Sequence, residues 1–186
     1  GISAITTGTG TNTVTVAASN GVTTVNVGAG TDTVNAAAAT AAVTVVIAEA
    51  SLTAADTLTG GTASDTLSLT SGAGAGNFTN VSGFETLKTT ANVATGITTV
   101  DGNVADGGSM TVNALSLTTA VLTLDGSAEL DGSFSITAGG SGDHQITLGQ
   151  GNDTYTSTST ADEDVIATAG DNVIRTGDGA DTIVGG

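Results

Sequence analysis

Polar and apolar residues alternate along this chain in short runs that follow glycines. The recurring unit is Gly, any residue, a polar or acidic residue, any residue, and then a bulky apolar residue. Because side chains alternate between the two faces of a strand, this pattern predicts short strands whose apolar residue faces a core. Four units between residues 139 and 186 fit it: Gly142-His144-Ile146, Gly151-Asp153-Tyr155, Gly170-Asn172-Ile174 and Gly179-Asp181-Ile183.

The spacing of these units predicts a solenoid. The first two are nine residues apart, and so are the last two. A short fixed period indicates stacked units that bury their apolar faces only against each other. Each unit supplies one turn and one strand, so stacked turns are two units apart in sequence. The predicted fold is all-β, an elongated right-handed parallel β-solenoid, with strand slots at Ile146, Tyr155, Ile166, Ile174 and Ile183.

The same pattern, with fewer acids, extends towards the start of the chain. Gly10-Asn12-Val14 and Gly30-Asp32-Val34 match it, and Asp65 precedes Leu67 at the same spacing. We therefore divide the chain into a degenerate solenoid (1–100), an irregular β segment (101–137) and a regular block (138–186). The irregular segment carries several Asp-Gly turn signals and can form either part of the same solenoid or a small side lobe.

Composition narrows the classes of function. The 186 residues include no Pro, Cys or Trp, so small aliphatic side chains must form a thin core. The formal net charge is −16, with two Lys or Arg residues. Nucleic-acid binding needs such cations, and no apolar run reaches the length of a membrane span. The sequence begins without Met and stops where another repeat would begin, so we expect a fragment of a longer protein.

The acids at the turns point to a metal. A Gly-x-Gly-x-Asp turn curls tightly and exposes carbonyls on the side where the Asp lies, and calcium takes six to eight oxygen ligands of these two kinds. Two bare carboxylates on strands roughly 4.8 Å apart repel by about 1 kcal/mol in water and by roughly 3–4 kcal/mol at an effective dielectric near 20. Since a bridging cation reverses this repulsion, we expect several calcium ions to bind as the chain folds.

Stacking also predicts which ligands meet. We expect Asp164 to share an edge with Asp181, and Asp153 to lie with Asn172 on the opposite edge. Asp162 or Asp164 should lie near His144, and Asn12 should pair with Asp32. The predicted ligands, through side-chain or carbonyl oxygens, are Asn12, Gly28, Gly30, Asp32, Asp65, Gly149, Gly151, Asp153, Asp162, Asp164, Asn172, Gly177, Gly179 and Asp181.

Other polar residues have plainer interpretations. His144 is the only His, and with no Cys and no distinguishable Ser-His-Asp set it is interpreted as a substitution in the repeat. Asp56 and Glu85 are interpreted as solvated turn acids. Replacing Asp101 should affect every site far less than replacing Asp181 affects the last one.

These units resemble the RTX family of calcium-binding nonapeptide repeats, Gly-Gly-x-Gly-x-Asp-x-U-x with U apolar. The best matches are 149–155 and 177–183, and residues 60–69 and 81–87 look like the repeat region of RTX-type bacterial surface-layer proteins. The resemblance implies a parallel β-roll with Ca²⁺ between turns, type I secretion and often assembly into a lattice. His144 and Asn172 depart from the motif by occupying acid slots, and the spacing slips on either side of Ile166.

The sequence thus favours a non-enzymatic, calcium-stabilised structural protein at the extracellular surface of a bacterium, within an S-layer or similar lattice. Its expected partners are other copies of itself and cell-surface polysaccharide, with neither nucleic-acid binding nor membrane insertion. Two alternatives stay open. One is a calcium-dependent adhesin, including an ice-binding one built on Thr-x-Thr pairs such as Thr11-Thr13 and Thr31-Thr33. The other is the folding module of a secreted hydrolase or toxin.

Overall fold

The computed structural model describes residues 2–18, 21–71 and 74–186. These residues form nineteen short strands and two 3₁₀ turns, Glu49–Ser51 and Asp101–Asn103. The strands are β1 (Ala4–Thr6), β2 (Gly10–Thr15), β3 (Thr24–Asn26), β4 (Gly30–Asn35), β5 (Thr44–Ile47), β6 (Thr57–Thr59), β7 (Thr66–Leu69), β8 (Gly74–Asn77), β9 (Val81–Ser82), β10 (Thr86–Thr89), β11 (Thr95–Thr98), β12 (Ser109–Asn113), β13 (Leu122–Asp125), β14 (Ser133–Ala138), β15 (Gln145–Thr147), β16 (Thr154–Ser157), β17 (Asp164–Ala167), β18 (Val173–Arg175) and β19 (Thr182–Gly185).

The strands pair only in parallel within the described residues, and they form three sheets. The largest has nine strands in the order β1-β3-β5-β7-β10-β12-β14-β16-β18. The alternate strands form a four-stranded sheet, β2-β4-β6-β9, and a six-stranded sheet, β8-β11-β13-β15-β17-β19. Each coil thus contributes one strand to the nine-stranded sheet and another to an opposing sheet, except the coil that begins with β7, which contributes β8 to one opposing sheet and β9 to the other. The predicted parallel β-solenoid is confirmed, with about nine coils.

The core is built from rows of equivalent side chains, one from each coil. The row in the nine-stranded sheet is Ile5, Val25, Val45, Leu67, Leu87, Val112, Ile136, Tyr155 and Ile174. The row in the six-stranded sheet is Gly76, Ile97, Leu124, Ile146, Val165 and Ile183. Burying each large aliphatic side chain contributes about 1.5–3 kcal/mol, so stability accumulates coil by coil.

One strand slot was assigned wrongly. Val165, and not Ile166, stands in the row between Ile146 and Ile183; it is 1% exposed, whereas Ile166 is 42% exposed. A shift of one residue moves every side chain of a strand to the other face, and two adjacent apolar residues are compatible with either register. Ile183 faces the same row but is 51% exposed, because β19 is the last strand of its sheet.

Coil length varies along the chain, and the turns absorb the difference. Equivalent core residues are eighteen positions apart between Val165 and Ile183, but twenty-seven apart between Ile97 and Leu124. Within 101–137, strands β12, β13 and β14 pair in register with the coils before and after them. This segment is therefore wound into the same sheets, and its extra residues lie in the turns. The three-part division and the handedness of the coil stay predictions.

Candidate metal centres

The turns between sheets form two edges of the solenoid. The outgoing edge contains the turns that leave the nine-stranded sheet and the strand starts that follow them, including residues 27–32, 139–144, 158–163 and 176–181. The returning edge contains the turns that lead back to that sheet, including residues 60–65, 126–132, 148–153 and 168–172. The predicted ligands lie on these two edges, with Asp164 at the start of strand β17.

A ladder of hydrogen bonds runs along both edges through the polar slot of the repeat. At seven positions the slot side chain accepts the backbone N–H of the equivalent residue one coil earlier, at donor–acceptor distances of 2.6–3.0 Å. The pairs, donor first, are Asp32–Asp56, Val43–Asp65, Asp65–Glu85, Leu122–His144, Phe134–Asp153, Asp153–Asn172 and Glu163–Asp181. The slot therefore joins successive coils even without a metal.

Glycines allow the turns to stack closely enough for their carbonyls to reach the next coil. A Cβ on Gly28 would overlap the carbonyl of Gly8, and one on Gly30 would overlap that of Gly10. Gly30 also has φ +136°, where L side chains are strained. The same close stacking on a carbonyl of the preceding coil holds for Gly149, Gly151, Gly177 and Gly179.

Asn12 and Asp32 pair as expected on the outgoing edge. Asn12 Nδ2 donates to Asp32 Oδ1 at 2.7 Å, and the N–H of Asp32 donates to Asp56 Oδ1 at the same distance. Asp32 is buried, and its Oδ2 has no hydrogen-bond partner. Asp56 is also buried, with its Oδ2 bonded to Thr53, so the interpretation of Asp56 as a solvated acid is wrong.

Asp65 on the returning edge acts as a clamp within the fold. Its Oδ1 accepts the N–H of Val43 at 2.6 Å, and its Oδ2 accepts the N–H of Gly61. The N–H of Asp65 donates in turn to Glu85 Oε2 at 2.7 Å. Both oxygens of Asp65 thus have backbone partners, and its role as a metal ligand stays a prediction.

Asp153 lies with Asn172 on the returning edge, as the spacing predicts. The N–H of Asp153 donates to Asn172 Oδ1 at 2.8 Å, and Asp153 Oδ1 accepts the N–H of Phe134 at 2.7 Å. Asp153 is 1% exposed, and its Oδ2 is buried without a partner. Burial raises the pKa of Asp153, the N–H of Phe134 opposes that rise, and the charge of Glu129 adds to it.

The pairing predicted for Asp164 is wrong by one residue. Asp181 stands opposite Glu163, whose N–H donates to Asp181 Oδ1 at 3.0 Å, while Asp164 pairs with Gln145 and Thr182 in the six-stranded sheet. The cause is the shift that places Val165 in the core. Asp162 is exposed and accepts the N–H of Ala180 at 2.8 Å.

Glu163, which the repeat pattern did not single out, is the buried acid of this turn. Its Oε1 accepts the hydroxyls of Tyr155 at 3.0 Å and Ser157 at 2.6 Å, and its Oε2 is buried without a partner. Burial, followed by the negative charge of Glu163, raises the pKa of Tyr155. The acidic run at 162–164 was the available signal, but the period alone could not choose among its members.

His144 fills the polar slot beside Glu163 and does the work of a carboxylate in the ladder. It is fully buried; its Nδ1 accepts the N–H of Leu122 at 3.0 Å, and its Nε2 lies 3.0 Å from the carbonyl oxygen of Gly139. Since Nδ1 accepts, Nε2 carries the proton and donates to that carbonyl, so the imidazole is neutral. This supports the interpretation of His144 as a substitution in the repeat.

Asp101, Glu129 and Asp131 form an acidic group that the repeat pattern did not reveal. One carboxylate oxygen from each lies within 4.8 Å of the others. Loss of solvent, followed by the charges of Asp106 and Asp101, raises the pKa of Asp131. The available signal was the pair of Asp-Gly dipeptides at 101–102 and 131–132, which predicted turns but not their proximity.

Bound calcium accounts for the buried acids better than a fold without metal does. Four buried carboxylate oxygens, on Asp32, Glu129, Asp153 and Glu163, have no hydrogen-bond partner. Each unsatisfied buried group costs about 1–3 kcal/mol or more, against a net stability of about 5–15 kcal/mol for a typical domain. Hard cations take oxygen ligands, so Asp32, Asp153 and Glu163, with nearby turn carbonyls, would hold calcium at these edges.

Comparison with known protein families identifies these turns. A family model described as the RTX calcium-binding nonapeptide repeat matches the chain in four copies, over residues 52–77 and 157–186. No curated protein and no solved structure gave a significant match. In the part of the chain that the structure describes, no helix has the length and apolarity to cross a membrane. The four repeats and the parallel β-roll together show that the chain carries RTX-type nonapeptide repeats, of a class that binds calcium.

Proposed function

We propose that this chain is a calcium-stabilised structural segment of a bacterial cell-surface protein, and that it works within an S-layer or a similar extracellular lattice. The observation that carries the proposal is that three buried slot acids, Asp32, Asp153 and Glu163, each have one oxygen bound to a neighbouring group and one without a partner. Such acids hold the coils together fully only when a cation is present.

The proposed location outside the cell follows from the calcium requirement. Extracellular calcium modules bind with dissociation constants of about 10⁻⁴–10⁻³ M. Where calcium is scarce, the unpartnered carboxylates oppose folding, and the chain would stay unfolded enough for a type I export pathway. Metal binding would then drive folding after export, because binding free energy becomes folding free energy.

A structural role agrees with how the polar groups are used. The slot acids hold backbone N–H groups, and both ring nitrogens of His144 have partners in the core. Groups engaged in this way are poorly placed to act on a substrate, which supports a non-catalytic segment. A catalytic domain elsewhere in a longer protein would make the chain its folding module instead, and the flanking sequence would reveal it.

The proposed partners are other copies of the chain and cell-surface polysaccharide. With a formal charge of −16, copies repel each other in the absence of cations, so assembly should require calcium. Electron microscopy of the chain in about 1 mM calcium and in excess chelator tests this. Ordered sheets that form in calcium but not in chelator support the lattice. Particles that stay dispersed under both conditions argue against it.

The two predicted Thr-x-Thr pairs give ice binding little support, because their rows are short. The Thr-x-Thr pairs stack only two strands deep, Thr11 on Thr31 and Thr13 on Thr33. The next strand of that sheet continues the row with Thr57 alone, because Ala55 precedes it. This pair of rows is too short to form an extended flat face.

A further inference from the structure

The acidic group on the irregular coils lies outside the repeat frame. Asp101 stands in the 3₁₀ turn Asp101–Asn103, and Glu129 and Asp131 lie in the turn of the following coil. Neither of the two segments that match the RTX family contains any of the three residues. Among the described residues, this is the one group of three potential metal-ligating side chains whose ligand atoms come within 4.8 Å of one another.

The backbone holds these carboxylates in place. Asp101 Oδ1 accepts the N–H of Leu130 at 3.0 Å, which ties the earlier turn to the later one. Glu129 Oε1 accepts the N–H groups of Gly132 at 2.8 Å and Asp131 at 3.3 Å. The three carboxylates are therefore kept close although their charges repel.

Glu129 supplies separate evidence that the group binds a ligand. It is fully buried, yet its Oε2 has no hydrogen-bond partner. An ionised oxygen that has lost its water and gained no partner is costly, and the same carboxylate belongs to the group with Asp101 and Asp131. A cation bound between the two turns would supply the missing partner.

The spacing is compatible with calcium. Three oxygens no more than 4.8 Å apart lie within about 2.8 Å of a common point, so little movement would bring them to the roughly 2.3–2.6 Å of a calcium–oxygen bond. Asp101 and Asp131 are exposed, so water can complete the coordination.

We propose that Asp101, Glu129 and Asp131 bind one calcium ion that is additional to those of the nonapeptide repeats and that pins the turn at 101–103 to the turn at 126–132. The inference extends the proposed function, because it assigns a metal site to the stretch in which the repeat pattern is lost. It replaces the expectation from the repeat pattern that a substitution of Asp101 affects every site only slightly.

The test counts the calcium bound to the 186-residue chain by equilibrium dialysis, with calorimetry for the affinities. Asp131→Asn and Asp101→Asn each remove one exposed charge and keep a similar shape, and Asn at 101 can still accept the N–H of Leu130. Asp143→Asn is the matched control, because Asp143 is also an exposed turn acid.

We expect both test variants to lose one ion, or to bind it at least about tenfold more weakly, since affinity follows the number of charged ligands. The control should match the wild type.

Hydrogen exchange provides the second measurement. Calcium should slow amide exchange at 101–103 and 127–132 in the wild type and in Asp143→Asn, but not in Asp131→Asn. If both test variants bind as many ions as the control, with the same affinities, the inference is wrong while the repeat sites stand. If the wild type binds no calcium, the inference and the proposed function both fail.

Discussion

Asp153 uses its two carboxylate oxygens differently. Oδ1 accepts the N–H of Phe134, whereas Oδ2 is buried without a partner. Asp32 follows the same pattern, with Asn12 as the partner of its Oδ1. Asn172 fills its slot with an amide, which can hold the neighbouring N–H but brings no charge. Substitution can therefore separate the coil-joining role of a slot acid from its metal-binding role.

Replacing Asp153 by Asn should weaken calcium binding and leave the coil contact in place. An Asn oxygen still accepts the N–H of Phe134, but the lost charge should lower the affinity of that site by about tenfold or more. Asp153→Ala should also leave the N–H of Phe134 unpaired, at a further cost of about 1–3 kcal/mol relative to Asp153→Asn in saturating calcium. Calorimetry and urea unfolding measure the two effects. Calcium affinity in Asp153→Asn equal to that of the wild type would show that Oδ2 is not a ligand.

His144→Ala should destabilise the calcium-loaded chain. It leaves the N–H of Leu122 unpaired in the core, which costs about 1–3 kcal/mol, and it opens a cavity. The control is Gln145→Ala, since the neighbouring Gln145 side chain is exposed and its loss should change stability by less than about 0.5 kcal/mol. Urea unfolding of both variants checks this. A similar effect from the two would contradict the buried acceptor role of His144.

At the scale of turns and strands, close stacking of glycines sets the distance between coils. Gly28 and Gly8 occupy equivalent positions in successive coils, but only Gly28 has a neighbouring carbonyl where its Cβ would lie. Gly28→Ala should therefore cost about 1–3 kcal/mol through overpacking, whereas Gly8→Ala should stay within about 0.5 kcal/mol of the wild type. Thermal unfolding of the two variants in calcium gives the comparison. Equal stabilities would mean that the coils can separate at no cost.

The repeat pattern predicted the regular strands because the spacing of the motif in the sequence matches the length of the coils in the structure. Where coils approach eighteen residues, as between Val165 and Ile183, glycine, polar slot and core residue fall in order. The pattern could not decide between Val165 and Ile166, since both are apolar. The decision depends on Glu163, which Tyr155 and Ser157 hold inside, and that is a tertiary contact.

The contacts between the long coils could not be predicted from the sequence. Ile97 and Leu124 are equivalent although twenty-seven residues separate them, so Asp101 and Glu129 meet at a spacing that an eighteen-residue coil does not predict. The Asp-Gly dipeptides signalled turns, but the lengths of the intervening loops decide which turns stack. For this reason, the metal residues predicted from sequence are concentrated where the repeats are regular.

At the scale of the whole molecule, the pH dependence of stability should reverse with calcium. Burial raises the pKa of Asp153 above its usual value of 3.8 and that of Glu49 above 4.5. A carboxyl with a raised pKa binds its proton more tightly in the folded chain, so the free energy of unfolding falls as the pH rises through that pKa. Metal-free protein should therefore become more stable as the pH falls towards those usual values.

The calcium-loaded chain should behave in the opposite way. Calcium binds only ionised carboxylates, so protonation releases the metal and stability should fall on acidification. Circular dichroism of metal-depleted protein gives its folded fraction, and urea unfolding gives the stability of calcium-loaded protein, both between neutral pH and about pH 4. Changes of the same sign on acidification would contradict the view that the metal neutralises the buried acids.

The central claim is that calcium completes the fold, and circular dichroism during calcium titration and chelation tests it most directly. The buried carboxylate oxygens on Asp32, Asp153, Glu129 and Glu163 lack partners without a cation. We predict a gain of β-sheet signal at about 1 mM calcium that excess chelator reverses. A full β-sheet signal in excess chelator, unchanged by added calcium, would contradict the account.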